Sequence, residues 1–171
     1  MMLLCELCRE RTQFCRERIY SFLIQPCYLS QIMRQMRSRQ NIEIGTNNMY
    51  KINVNSSFSA AHYLDNYSGA CKYLHGHNWK VRLQLTAQNT DEIGMAIDFK
   101  LVKDNLNMLL DRLDHKHLNE LEFFSNLNPT SENIAQLIYR EMQSCFENDN
   151  IKISEVEIWE SENNSVIYCG M

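Results

Sequence analysis

From Tyr50 to Phe58 the even positions Tyr50, Ile52, Val54 and Phe58 are apolar, with Ser56 the exception, while Lys51, Asn53, Asn55 and Ser57 are polar. Period two predicts a half-buried strand, because successive side chains alternate across a sheet. The pattern recurs in Trp79, Val81, Leu83, Leu85 and Ala87, set against Lys80, Arg82, Gln84 and Thr86. Asn89 to Gly94 reads as a polar turn. Beyond it the period changes. Asp98 is placed to cap a helix in which Phe99, Val102, Leu106, Leu109, Leu110 and Leu113 recur at intervals of three and four. Asn128-Pro-Thr-Ser-Glu132 has the Pro and the acid expected in a first helical turn, and Ile134, Leu137, Ile138 and Met142 supply that helix's buried face. Val156 and Ile158 then alternate with Glu155, Glu157 and Trp159. Glu162 to Ser165 is a turn, and Val166 to Cys169 a last short strand.

The predicted order is β-β-α-α-β-β. Short turns between strands imply a four-stranded antiparallel sheet with both helices on its apolar face, an α+β domain. An open sheet leaves unpaired edges, and pairing them between subunits predicts an oligomer.

Composition divides the chain. Residues 1–48 carry seven arginines, no lysine and four acids, a charge of +3, which leaves residues 49–171 at −7 within a total of −4. An Arg-rich leader suggests a transit peptide, but Glu6, Glu10 and Glu17 argue against one. Cys5-x-x-Cys8 has the spacing of half a zinc site, yet no second pair at zinc spacing follows. Met49 is therefore the expected start of the working domain, with residues 1–48 an extension that has no catalytic role or lies upstream of the true start. The net negative charge disfavours a nucleic-acid partner. Apolar runs fall far short of the roughly 18 residues that span a bilayer. Seven cysteines without a secretory signal point to reduced thiols and a cytoplasmic setting.

All five histidines lie between 62 and 117. In an extended segment the side chains of His75 and His77 project to one side, so both can reach one metal, and His62 offers a third imidazole just past the first strand. Three histidines leave a fourth position open on a tetrahedral zinc. Taken alone, each histidine is equally readable as a surface or satisfied core residue. Cys71, four residues before His75, is either a small buried hydrophobe or a thiol that a nearby cation holds as thiolate. Cys145 and Cys169 read as buried hydrophobes, and His117 as a surface residue. Asp114-His115 is a carboxylate beside an imidazole, the pairing that fixes a tautomer for acid–base work, and also a common surface dipeptide. Glu160 continues the even-numbered face of Val156 and Ile158. It either turns to solvent or takes up two adjacent N–H groups, as a guanidine-like edge of a heterocycle offers.

Six segments join these pieces: Phe58-Ser-Ala-Ala-His62, Cys71-Lys-Tyr-Leu-His-Gly-His-Asn78, Gly94-Met-Ala-Ile-Asp-Phe99, Leu113-Asp-His-Lys-His-Leu-Asn119, Asn128-Pro-Thr-Ser-Glu-Asn133 and Trp159-Glu-Ser-Glu-Asn-Asn164. In this order and spacing the chain resembles the 6-pyruvoyl-tetrahydropterin synthase / 6-carboxytetrahydropterin synthase family over residues 49–171, and not over 1–48. Three residues between Cys71 and His75 resemble the carboxy-type enzyme of queuosine biosynthesis, while pyruvoyl-type enzymes have a longer spacing. Tyr63 stands where many relatives have Arg.

The resemblance implies the T-fold (tunnelling fold) and a homohexamer of two trimers with active sites between subunits. It implies Zn2+ on His62, His75 and His77, Cys71 as the proton-abstracting group, and Asp114 with His115 as its partner dyad. Glu160 would anchor a pterin ring, with Thr130, Ser131 and Glu132 lining the pocket. The implied reaction converts 7,8-dihydroneopterin triphosphate to 6-carboxy-5,6,7,8-tetrahydropterin, acetaldehyde and triphosphate. The alternatives are a 6-pyruvoyl-tetrahydropterin synthase and a zinc-holding, pterin-binding protein without turnover. Lys72, Lys80 and Arg82 are the candidate triphosphate contacts.

Overall fold

The structure, a computed structural model, describes residues 49–170. Two long strands, β1 (Tyr50–His62) and β2 (His75–Ala87), form an antiparallel hairpin. Helix α1 (Phe99–Leu110), the two-residue strand β3 (Lys116–His117) and helix α2 (Ser131–Phe146) follow, then β4 (Ile151–Trp159) and β5 (Ser165–Tyr168). The sheet order is β3-β1-β2-β4-β5. Helix α1 packs on β1 and α2 on β4 and β5, as the α+β expectation required.

Both helix starts have a physical cause. Asp98 accepts from the backbone N–H of Lys100 at 2.7 Å, and Thr130 from that of Asn133 at 3.3 Å, so each cap satisfies a donor that the helix itself leaves unpaired. The faces expected from sequence are buried between the layers. Ile52, Val54 and Phe58 of β1, and Trp79 to Leu85 at odd positions of β2, meet Val102 and Leu106 of α1, Ile134 and Ile138 of α2, and Val156 and Ile158 of β4 in one core. Each fully buried Leu or Ile contributes about 1.5–3 kcal/mol.

Four expectations need correction. The sheet has a fifth strand, β3, parallel to β1 through Ala60–Lys116 and Ala61–His117. Two residues are too few for any periodicity to reveal. The hairpin also runs further than its apolar alternation, with His62 ending β1 and His75 opening β2. Phe99 is 61% exposed, because burial on α1 begins one turn later at Val102. Cys169 is exposed and Cys145 only half-buried, since neither side chain faces the core that their neighbours fill.

The opposite sheet face is polar. Arg82 Nη2 pairs with Glu157 Oε2 at 2.5 Å and with Glu155 Oε1 at 3.3 Å, and Gln84 is buried among Asn53 and Ser154. Ser154 is the extra residue of a bulge between Gln84 and Leu85, and its hydroxyl donates to the Gln84 carbonyl. Lys80 and Arg82 stand at even positions of β2, on the side away from His75 and His77. Of the three candidate triphosphate contacts, these two do not face the histidines of their own chain. Cys5-x-x-Cys8 and the boundary at Met49 concern residues 1–48, outside the described residues.

Candidate metal centre

The β1–β2 register builds the site. On the helix-facing side the cross-strand pairs run Ile52–Leu85, Val54–Leu83, Ser56–Val81, Phe58–Trp79, Ala60–His77 and His62–His75. The histidines are the last rungs of the core ladder. Small Ala60 opposite His77 leaves its ring free to lean toward His62, with ring centroids 5.2 Å apart. His75 lies 4.6 Å from His62 and 4.9 Å from His77, and Trp79 closes the floor at 5.2 Å from both His62 and His77.

Backbone carbonyls fix two of the imidazoles. His62 Nδ1 donates to the Pro129 carbonyl at 2.7 Å, and His75 Nδ1 to the Tyr73 carbonyl at 2.7 Å. A carbonyl can only accept, so each Nδ1 carries the proton and each Nε2 presents a lone pair. The Nε2 atoms of His62, His75 and His77 are buried and without a hydrogen-bond partner among the described residues. Two orphaned acceptors beside the His77 nitrogen are costly unless a cation takes them. Burial chiefly holds His62 and His77 below the ordinary imidazole range. Against it, the Pro129 carbonyl raises His62, and Glu160 raises His77. Neutral imidazole is the ligating form.

Glu160 joins them. One ligand atom from each of His62, His75, His77 and Glu160 lies within 4.8 Å of every other. Glu160 follows β4 directly, and its backbone N–H donates to the Asn164 carbonyl at 3.2 Å in the turn toward β5. Its Oε2 accepts from the Ser131 hydroxyl at 2.9 Å, and its Oε1 stands 3.1 Å from His77 Nε2. Three imidazoles and a carboxylate are a donor set that suits zinc.

The remaining expected residues divide. Ser131 reaches the cluster through Glu160, Thr130 spends its hydroxyl on the cap of α2, and Glu132 is exposed in the first turn. Cys71 is a half-buried free thiol in the one-turn 3-10 helix Ala70–Lys72. Its carbonyl accepts from Leu64 N–H at 2.9 Å, which draws the β1–β2 loop closed below the histidines.

Asp114 and His115 form their pair, Nδ1 to Oδ2 at 2.7 Å, and neither is among the converging ligand atoms of the cluster. The dyad grips β1 at Ser59, whose N–H donates to Asp114 Oδ1 at 2.7 Å and whose carbonyl accepts from His115 N–H at 2.6 Å. Ser59 faces the polar side of the sheet. His115 therefore lines an open groove of about 460 Å³ with Ser59, Gly76, His77, Asn78 and Lys116. The Ser59 amide, then His115, hold the Asp114 carboxyl below its ordinary range. His115 sits at φ 54°, in the left-handed region that few non-glycine residues adopt, which turns its exposed ring outward.

His117 corrects the surface reading. Its side chain is 26% exposed, bonds Glu120 through Nδ1 at 3.0 Å, and lies tilted against Tyr63 with ring centroids 5.5 Å apart, because β3 tucks it against the end of β1. Supporting residues also emerged that the sequence did not single out by role. Asn119 clamps both backbone groups of Tyr63 at 3.0 and 2.9 Å, and Asn128 does the same to Asp65 at 2.7 and 3.0 Å. These amides fix the chain just past His62. Their signal was present, since both lie in quoted segments, but nothing local assigned them this task.

Fold and site together define a T-fold protein with a metal-ready cluster of three histidines and a carboxylate at the end of its central hairpin. The 6-pyruvoyl tetrahydropterin synthase family profile matches residues 51–170, and the chain belongs to that family. It is 29% identical over 133 residues to the 6-carboxy-5,6,7,8-tetrahydropterin synthase of Rickettsia bellii, covering 67% of this chain and 96% of that one. To a putative 6-pyruvoyl tetrahydrobiopterin synthase of Caenorhabditis elegans it is 33% identical over 129 residues, covering 67% and 90%. The solved structure of a Caenorhabditis elegans 6-pyruvoyl tetrahydropterin synthase superposes with a TM-score of 0.65 at 30% identity, covering 72% of this chain and 97% of that one. Among the described residues no helix is long and apolar enough to cross a membrane.

Proposed function

We propose that the protein is a cytoplasmic, zinc-dependent 6-carboxy-5,6,7,8-tetrahydropterin synthase of queuosine (7-deazaguanine) biosynthesis. It would convert 7,8-dihydroneopterin triphosphate to 6-carboxytetrahydropterin, acetaldehyde and triphosphate. The observation that carries this reading is the convergence of three buried, unpartnered Nε2 atoms beside the Glu160 carboxylate. The three-residue spacing from Cys71 to His75 and the relatives named as carboxy-type enzymes favour this product.

His62, His75 and His77 would hold zinc, which when bound supplies Lewis acidity toward the substrate's side-chain hydroxyls. Glu160, oriented by Ser131, accepts the adjacent N–H groups of the pterin ring and so sets the side chain against the metal end of the hairpin. The Cys71 sulfur accepts a proton from the substrate side chain. Asp114 holds the proton on His115 Nδ1, which leaves Nε2 to exchange a proton with substrate. Triphosphate leaves, a water then adds to the C1′ carbonyl, and cleavage of the C1′–C2′ bond leaves the carboxyl group on the ring and releases the two-carbon fragment as acetaldehyde.

The dyad hangs on the polar side of β1 with its ring 82% exposed, outside the set of converging ligand atoms. That placement supports a homohexamer of two trimers in which Asp114 and His115 serve a neighbour's site. The domain of residues 49–171 carries all of this, and protein beginning at Met49 should keep metal content, assembly and turnover. Loss of any of these while the full chain keeps them would move the boundary upstream.

A 6-pyruvoyl-tetrahydropterin synthase, which stops after triphosphate loss, is the second reading, favoured by the likeness to the Caenorhabditis elegans proteins. A zinc-holding, pterin-binding protein without turnover would have no use for Cys71, Asp114 and His115 together. Incubation with 7,8-dihydroneopterin triphosphate, followed by mass spectrometry, separates all three. Acetaldehyde with 6-carboxytetrahydropterin is the expected result. A pyruvoyl product without acetaldehyde, or unchanged substrate, would overturn it.

A further inference from the structure

Glu160 stands where two tasks meet. Its Oε1 lies 3.1 Å from His77 Nε2, yet that nitrogen has no hydrogen-bond partner, so the contact is not a hydrogen bond. Two ligands on one tetrahedral zinc, each about 2.0–2.1 Å from the ion, are themselves roughly 3.3 Å apart. The observed spacing is short enough for both atoms to reach one cation. Meanwhile Oε2 is tied to the Ser131 hydroxyl at 2.9 Å, which aims the other oxygen inward at the three imidazoles.

We propose that Glu160 alternates between two partners: without a pterin ring its Oε1 completes the coordination of the metal held by His62, His75 and His77, and an arriving ring draws it away. The proposal rests on the pterin-binding reading above. Its logic is exclusion. Two adjacent ring N–H groups need both carboxylate oxygens, and Oε1 cannot face the ring and the metal at once. Ring binding therefore frees a coordination position at the moment a substrate side chain is present to use it. The ring's N–H edge and its side chain lie at opposite ends of the heterocycle, so a carboxylate that takes the edge must leave the metal entirely. The same exclusion acts in reverse, so a ring without a side chain must weaken the metal by the factor that the metal weakens the ring.

The test uses the full chain loaded with Co2+, whose visible absorption reports coordination, and unsubstituted pterin, which has no hydroxyls to reach the metal. Glu160→Gln should change the cobalt spectrum and lower metal affinity, read by chelator competition, at least about tenfold, the lower end of what even outer-shell partners contribute. Adding pterin to the unaltered protein should shift its spectrum toward that of Glu160→Gln. Glu160→Asp, with a shorter reach, is the second variant and should fall between the two in affinity. Melting curves of the metal-free proteins establish that each variant folds. Wild-type spectrum and affinity in either variant would overturn the proposal. Pterin bound, by its fluorescence, without a spectral change would overturn the exchange alone. No pterin binding at all would overturn the pterin reading and the exchange with it, a different outcome from failure of the turnover assay.

Discussion

The two ends of the β1–β2 hairpin share one register and one buried face but do opposite things. At one end Ile52 faces Leu85 and Val54 faces Leu83, and the contacts are dry packing. At the other, Ala60 faces His77 and His62 faces His75, with His62 still only 2% exposed. Nothing in the backbone changes between them. The site is a continuation of the core pattern in which apolar rungs give way to imidazoles, and the strand that organises folding also aims the ligands.

The sharpest way to break that comparison is to truncate one rung at each end. His75→Ala should weaken metal binding and with it turnover, because only two imidazoles and the exchanging Glu160 remain to hold the ion. Leu83→Ala should keep metal and lose about 2–5 kcal/mol of stability. Chelator competition beside denaturant melting reads both, and unchanged metal affinity in His75→Ala would remove His75 from the ligand set. Next in size, Cys71→Ala should bind metal and pterin normally while turnover falls roughly 10²- to 10⁴-fold, the usual share of a positioned proton-transfer group. Normal turnover would end the role of Cys71. Glu160→Ala should act on binding instead, costing about 1.5–3 kcal/mol of affinity for a pterin analogue in titration. Equal affinity losses in the two variants would mean that Cys71 also contacts the ring.

The smallest effect is one of pH. His62 and His77 titrate below the ordinary value of 6.5, chiefly because they are buried. The unfolded chain thus binds protons that the folded one resists. Their contribution to stability is whole above 6.5 and is lost as pH falls through the lowered folded values. The metal-free protein should melt earlier on passing from neutral to mildly acidic pH, and His62→Gln should flatten that dependence. An unchanged slope would contradict the assignment.

Most of the fold could be read from periodicity, because the strands and helices bury one face each and their apolar residues repeat accordingly. Strand β3 could not, since pairing of two residues leaves no period. The histidines were legible by spacing and Glu160 by its place on an apolar face. The carbonyls of Pro129 and Tyr73, which orient His62 and His75, carried no signal, because any residue has a carbonyl and only tertiary structure brings Pro129 to a strand 67 positions earlier. The partners of Arg82 were hidden for a related reason. A lone cation invites an anionic ligand until its own carboxylates, Glu155 and Glu157, are seen across the β2–β4 ladder.

The central claim is that the last rungs of this hairpin are the metal ligands. X-ray absorption at the zinc edge of the zinc-loaded, ligand-free protein tests it directly. The account predicts a shell of nitrogen and oxygen only, with the multiple-scattering pattern of several imidazoles. A sulfur neighbour would place Cys71 on the metal, and a shell without imidazole would remove the histidines from it; either result contradicts the account.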